Sequence, residues 1–252
     1  MNVIEDAVIE AQGVSFAYDT TPVLDDVSFA IGSGEFAALV GPNGSGKSTL
    51  LRLLLGLERP ARGSVRLLGD DPRNLGDRWR IGYVPQRLQL PPDLPATVEE
   101  VVRAGRLARR GWWRPSNQAD RDAVDHALGA VALTDQRDRR MRELSGGQQQ
   151  RVLIAKALVG EPEVILLDEP IAGVDAPSQQ LFRESLVHLV EHDAVTVLLV
   201  SHELGAVADV LDRVIVLKQR VLFDGPAPDL TAQGVSLGVH AEDLPMWLEG
   251  LR

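Results

Sequence analysis

The sequence predicts an α/β fold, a sheet covered by helices on both faces. Phe36 to Val40, Val164 to Leu167 and Val195 to Val200 are short apolar runs without polar alternation, the pattern of strands buried on both faces of a parallel sheet. A helical stretch separates the last two, so strand and helix alternate along the chain. With 252 residues, 44% of them hydrophobic, the chain can bury a sizeable core, as one large domain or as a core with an inserted subdomain.

Val8 to Tyr18 alternates as a strand does (Val8, Glu10, Gln12, Val14, Phe16), and Val27 to Ile31 fits a second strand. Gly32-Ser33-Gly34 turns the chain into Phe36–Val40, and a Gly-rich loop then leads into a buried helix from Ser48 to Gly56. Thr97 with Glu100 forms a capping box for a helix through Arg110. Gly111 to Pro115 breaks that helix, and Ser116 or Asn117 caps another through Val131. A further helix runs from about Ser178 to Glu191. The expected organisation is a single domain over 1–252: a core of about 1–87 and 157–226, a helical insert of about 88–156, and a short tail, 227–252.

Composition excludes several function classes. Cys is absent, which removes disulfide scaffolds, thiolate metal sites and Cys nucleophiles. The apolar runs are too short to span a bilayer, and no export signal opens the chain, so the expectation is a soluble cytoplasmic protein. A net charge of −10 with pI near 5.0 argues against nucleic acid held by a general basic surface. Residues 97–142 run against that balance, with ten Arg to seven Asp or Glu. On composition alone that stretch is a solvated helical face.

Gly41-Pro42-Asn43-Gly44-Ser45-Gly46-Lys47-Ser48-Thr49 fits the pattern G-x-x-x-x-G-K-[ST] between an expected strand and an expected helix. Glycines let successive N–H groups curl inward toward phosphate oxygens, and the helix adds its positive end. Lys47 can reach the β- and γ-phosphates, and the Ser48 hydroxyl can ligate Mg²⁺. Val164-Ile165-Leu166-Leu167 ends in Asp168-Glu169, two carboxylates where a buried strand emerges. Asp168 is placed to hold Mg²⁺ and Glu169 to accept a proton from attacking water. The expected ligand is a nucleoside triphosphate.

Leu144-Ser145-Gly146-Gly147-Gln148 lies between these motifs and resembles the signature of ATP-binding-cassette (ABC) ATPases. The resemblance runs from roughly Val8 to Gly225, with every hallmark in family order. It implies a P-loop NTPase (RecA-like) core with an N-terminal antiparallel β-subdomain and an inserted α-helical subdomain, and the cofactors ATP and Mg²⁺. It also implies roles for single residues: Tyr18 stacks on adenine, Gln86 senses Mg²⁺ and the nucleophilic water, Asp175 couples two sites across a dimer, and His202 contacts the γ-phosphate. Ser145, Gly146, Gly147 and Gln148 open a helix whose N–H groups and hydroxyl form a second anion site. Because an insert separates that site from the loop, it is expected to grip ATP held by a second copy, head to tail. The catalytic set is then Glu169, His202 and Gln86, with Ser48, Gln86 and Asp168 around Mg²⁺.

The partners implied are a second ATPase copy, an integral membrane permease and, indirectly, an extracytoplasmic solute-binding protein, with no nucleic acid. The protein then sits on the cytoplasmic face of the cell membrane. Arg87 to Pro92 corresponds to the region that docks the permease. Arg103, Arg106 and Arg110 of the following helix are expected to face the anionic inner leaflet, at roughly 1 kcal/mol per cation near the surface. Trp112 and Trp113 belong either to that contact or to core packing.

Gly173-Val174-Asp175-Ala176-Pro177-Ser178-Gln179, Ile81 to Arg87 and the helix opening at Thr97 resemble importers of divalent metals, zinc or manganese. Ile171 departs from the Thr more usual in that group, and iron-chelate importers are the rival. His188 and His192 lie four apart on an expected helix near Glu184 and Glu191. Two ligands without a third seldom hold zinc, so they read as ordinary surface histidines. His240, Glu242 and Asp243 in the tail read as surface residues.

Two other classes compete. Chromosome-maintenance relatives part the two halves with a long coiled coil, whereas Gln86 to Leu144 is only 58 positions, and translation-factor relatives carry two cassettes per chain. A small-molecule P-loop kinase has no use for the Leu144–Gln148 signature.

Overall fold

The computed structural model describes residues 7–86, 95–111, 113–170, 176–201, 204 and 207–233. In chain order its elements are β1 (Ala7–Tyr18), β2 (Thr21–Gly32), β3 (Phe36–Val40), α1 (Lys47–Leu54), β4 (Arg62–Leu67), β5 (Ile81–Val84), α2 (Val98–Gly105), α3 (Leu107–Arg110), α4 (Gln118–Ala130), α5 (Gly146–Leu158), β6 (Val164–Asp168), α6 (Ala176–Glu191), β7 (Thr196–Ser201), β8 (Arg213–Lys218), β9 (Arg220–Gly225) and α7 (Ala227–Gln233). They divide into two compact units, 1–76 with 196–252, and 77–195. Among the described residues no helix is long and apolar enough to cross a membrane.

The first unit holds a three-stranded antiparallel sheet in the order β2-β1-β4. The alternation seen in β1 does not belong to one face. Ile9 and Ala11 are buried, and the register then shifts so that Val14 and Phe16 are buried instead. Gly13, at φ 59°, sits at that β-bulge, a left-handed backbone that glycine adopts without steric cost. An extra residue reverses which side chains point inward, so Val8, Glu10 and Gln12 share a phase with Val14 only in sequence.

The same unit places β3 between β7 and β8, parallel to both, with Ala38 opposite Leu199 and Val214. Strands flanked on both sides and packed on both faces have no solvent side, which explains the unbroken Phe36–Val40 run. Every residue of β3 is at most 1% exposed. Its large apolar side chains each contribute roughly 1.5–3 kcal/mol of burial. β9 adds antiparallel to β8. After β3, α1 buries Leu50, Leu51, Leu53 and Leu54 and is closed by the hydrogen bonds Gly56 N to Leu53 O and Leu57 N to Arg52 O.

The second unit pairs β5 with β6 in parallel, Ile81 opposite Val164 through Val84 opposite Leu167. Around this pair are α2, α4, α5 and α6. The expected capping box of Thr97 with Glu100 opens α2, and of the two expected caps for α4 it is Asn117 that serves, in a capping box with Asp120. The first helix stops at Gly105; the chain bends at Arg106 into the one-turn α3.

Candidate functional site

The loop after β3 emerges at the carboxyl end of a buried parallel strand, where ligands bind in such sheets. Its shape is set by close backbone contacts. A Cβ on Gly41 would lie 2.1 Å from the Leu217 carbonyl oxygen. At Gly46, with φ 104°, a Cβ would sit 2.5 Å from Leu24 Cδ2 and 3.0 Å from the Val23 carbonyl. The β8–β9 turn ties the loop down, since Gln219 N donates to the Ser45 carbonyl at 2.9 Å. Sequence reasoning missed that anchor; its signal was the polar Lys218-Gln219-Arg220 between two apolar runs.

Three features of the loop fit a phosphate. No side chain caps α1, so the first N–H groups of the helix lack an intrahelical acceptor. Ser45 Oγ is buried with no hydrogen-bond partner among the described residues. Lys47, 5% exposed, folds back so that Nζ donates to the Gly41 carbonyl at 2.6 Å and to the Pro42 carbonyl at 3.3 Å. A phosphate oxygen is a stronger, charged acceptor than those carbonyls. Ser48 is exposed at the helix start and Thr49 is buried behind it. Tyr18 is 41% exposed, packs edge-on against Phe16, and its hydroxyl accepts from Arg52 at 3.4 Å.

In the second unit, β6 carries four fully buried aliphatic residues to half-buried Asp168 and Glu169. Glu169 has φ 43°, a left-handed conformation that costs a non-glycine residue roughly 1–2 kcal/mol. The strained backbone carries a side chain that meets a partner from the end of β5: Gln86 Nε2 donates to Glu169 Oε2 at 2.6 Å. Two residues 83 positions apart, each proposed separately from sequence, are thus brought together. With its amide nitrogen committed to Glu169, Gln86 retains a carbonyl oxygen, the kind of hard donor that Mg²⁺ takes. Ser145 is the N-cap of α5: Ser145 Oγ accepts from Gln148 N at 3.2 Å, and Gln148 Oε1 accepts from Ser145 N at 3.0 Å. The Ser145 hydroxyl hydrogen is left available to an outside acceptor, beside the opening N–H groups of the helix.

Asp175, His202, Ile171, Trp112 and the docking stretch Arg87 to Pro92 lie outside the described residues. Trp113 is 85% exposed, which removes core packing as its role. The expectation for the arginines is corrected. Arg106 is 7% exposed, with Nε 3.0 Å from Asp120 Oδ1 and a further bond of 3.0 Å to the Val159 carbonyl. Arg110 is largely covered and lies 3.7 Å from Asp120. Both guanidinium groups are neutralised inside the helical layer, so neither is offered to a lipid surface. Only Arg103, 3.7 Å from Glu99, keeps a substantially exposed side chain.

A family model described as ABC transporter matches residues 24–172, spanning the loop, the Leu144–Gln148 pentapeptide and the Asp-Glu strand. The zinc uptake system ATP-binding protein ZurA of Listeria innocua is 43% identical over 221 residues, 87% of this chain and 86% of that protein. The manganese transport system ATP-binding protein MntB of Bacillus subtilis is 38% identical over 222 residues, 88% of each. Among solved structures, cbiO1 from Clostridium perfringens, part of the ABC transporter complex cbiONQ, matches with a TM-score of 0.80 at 28% identity, covering 96% of this chain and 99% of that one. An ATP-binding cassette of an ABC transporter in its ADP conformation matches with 0.81 at 25% identity, over 95% and 98%. A nucleotide-type loop, an uncapped helix behind it, and a model match over more than half the chain lead to one conclusion: the chain belongs to the ABC transporter family, as an ATP-binding subunit.

Proposed function

We propose that this chain hydrolyses ATP to power a membrane importer of divalent metal ions, zinc or manganese. The observation that carries the cargo is likeness, along nearly the whole chain, to ATP-binding proteins named for zinc uptake and for manganese transport.

In this reading the ATP phosphates displace Lys47 from the Gly41 carbonyl and take the loop amides, the Ser45 hydroxyl and the Lys47 ammonium as donors. Tyr18 lies under the adenine. Glu169 accepts the proton of the attacking water, while the short bond from Gln86 fixes the carboxylate's direction. Ser48, Gln86 and Asp168 would hold Mg²⁺, which offsets phosphate charge when bound. His202 completes the γ-phosphate contacts. The Ser145-Gly146-Gly147-Gln148 end of a second copy closes over the nucleotide, with Asp175 coupling the two sites. The 87–92 stretch docks the permease on the cytoplasmic face of the membrane, and a solute-binding protein delivers cargo from the other side.

Glu169→Gln tests the chemistry. It keeps the hydrogen bond from Gln86 but removes the base, so turnover should fall about 10²–10⁴-fold with ATP binding retained. Gel filtration in ATP and Mg²⁺ should then show a persistent dimer. A monomer that still hydrolyses at the parent rate would sink the sandwich. Uptake of zinc, manganese and a ferric chelate, with and without the gene, tests the cargo; unchanged uptake of both zinc and manganese rejects it.

A further inference from the structure

We propose a zinc-class metal site in the second unit, formed by His126 of α4, His188 of α6 and Asp193 just beyond α6. One nitrogen of each histidine and one carboxylate oxygen of Asp193 all lie within 4.8 Å of one another. His126 Nε2 is 3.0 Å from Asp193 Oδ1, close to the edge of about 3.3 Å that bonds of about 2.0–2.1 Å give in a tetrahedral zinc site. The remaining edges close by about 1.5 Å through torsions of half-exposed side chains. The other oxygen, Asp193 Oδ2, is buried and has no hydrogen-bond partner among the described residues. A carboxylate whose inner oxygen is unsatisfied beside two imidazoles is better matched by a cation than by a single histidine proton.

The third ligand is what sequence alone lacked. His188 and His192 stand four apart, and their rings stack at 4.5 Å with 16° between planes. His192 therefore braces His188 rather than joining the ligand set. His126, 62 positions upstream, comes from another helix, its ring centroid 5.9 Å from that of His188. A cleft of about 590 Å³, into which Asp122 also faces, gives an ion access. Glu161 and Glu163 line it too but are already paired with Arg106, Arg109 and Arg80, so Asp122 and Asp193 supply the net attraction. Binding would tether α4 to the end of α6.

The chain has no Cys, so the donors are imidazole and carboxylate only. For such a set affinity rises from Mn²⁺ toward Zn²⁺ and Cu²⁺. The site should therefore prefer Zn²⁺ over Mn²⁺ whichever ion is transported, and it stands apart from the cargo question.

The test is calorimetric titration of untagged, full-length protein with Zn²⁺ alone, without nucleotide or Mg²⁺, together with visible absorption on adding Co²⁺. The parent should bind one Zn²⁺ that the His126→Ala/His188→Ala double variant does not, or binds at least about tenfold more weakly, since even the loss of a group that only supports a ligand costs about 10–100-fold. Asp193→Asn should weaken the same event, and zinc should raise the melting temperature of the parent but not of the variants. Circular dichroism checks that they fold; should the double variant fail to fold, the single His126→Ala variant carries the comparison. Identical stoichiometry and affinity in parent and variants, or Mn²⁺ bound as tightly as Zn²⁺, would overturn the proposal.

Discussion

Asp120→Ala should be among the most disruptive single changes in the second unit, and the cost can be worked from its contacts. Its side chain is 5% exposed and the side chain of Arg106, at 3.0 Å, is 9% exposed, so solvent screens the pair little. Removing one member of a buried pair costs about 3–5 kcal/mol because the other charge stays buried. Arg106 keeps the Val159 carbonyl and Glu161, which places the loss near 3 kcal/mol. Asp120 is also the third residue of the α4 capping box, accepting from Asn117 N at 3.0 Å, and losing that bond adds about 0.5–1 kcal/mol. A total of about 3.5–4 kcal/mol corresponds to a melting temperature lower by roughly 10 °C in a chain of this length. Asp120→Asn retains the shape and an acceptor for the cap but not the charge, and should lose about 2 kcal/mol. Burial alone would raise the pKa of Asp120, but the Asn117 amide and the Arg106 and Arg110 guanidinium groups outweigh it and hold the carboxyl below the usual range. A carboxyl more acidic folded than unfolded stabilises fully above about pH 4 and loses that contribution as pH falls through the native value. The gap between parent and Asp120→Asn should therefore narrow in acid. Urea unfolding followed by circular dichroism from pH 7 down to pH 3 measures all of this. An Asp120→Ala variant within 1 kcal/mol of the parent, or a gap that widens in acid, would refute the reasoning.

Two further changes separate packing from chemistry. Gly46→Ala forces a left-handed residue into Leu24 and the Val23 carbonyl; it should cost about 2–4 kcal/mol in chemical denaturation and weaken ATP binding at least tenfold, read by fluorescent-nucleotide titration. Ser145→Ala removes the α5 cap, worth about 1 kcal/mol. It should also lower ATPase activity by more than that stability loss explains, and Ser145→Asp should restore the melting temperature but not the activity.

What was legible from sequence was local. Thr97 with Glu100 closes hydrogen bonds over three residues, so spacing alone specifies it, whereas the cap of α4 was narrowed only to Ser116 or Asn117, and the structure selects Asn117 through its bonds with Asp120. The loop is equally self-contained, since Lys47 bonds carbonyls five and six positions back. β4 and β5 went unassigned because Arg66 and Gly82 interrupt strands of only six and four residues, whereas β8 and β9, with the unbroken apolar runs Val214 to Leu217 and Val221 to Phe223, were legible and were passed over. The β1 bulge misled for a related reason: a period-2 count assumes no inserted residue, and Gly13 is one.

Residue types that the sequence left ambiguous were decided by partners far along the chain. Composition made Arg103, Arg106 and Arg110 equivalent cations on one helix, yet Asp120 and Glu161 withdraw Arg106 from any surface role and leave Arg103 exposed. The same logic separates His188 from an ordinary helix-face histidine, because His126 and Asp193 come to it only through the packing of α4 near α6. It also changes the standing of Glu169. A carboxylate at a strand end is common, but one held at φ 43° and met at 2.6 Å by an amide 83 residues earlier is constrained in both backbone and side chain. Such strain persists only where surrounding contacts over-determine it. The restraint fixes the direction of the proposed base before any nucleotide arrives, so Gln86→Ala should lower turnover while leaving ATP affinity within a few-fold. An equal loss in both would mean that Gln86 serves binding rather than the orientation of Glu169.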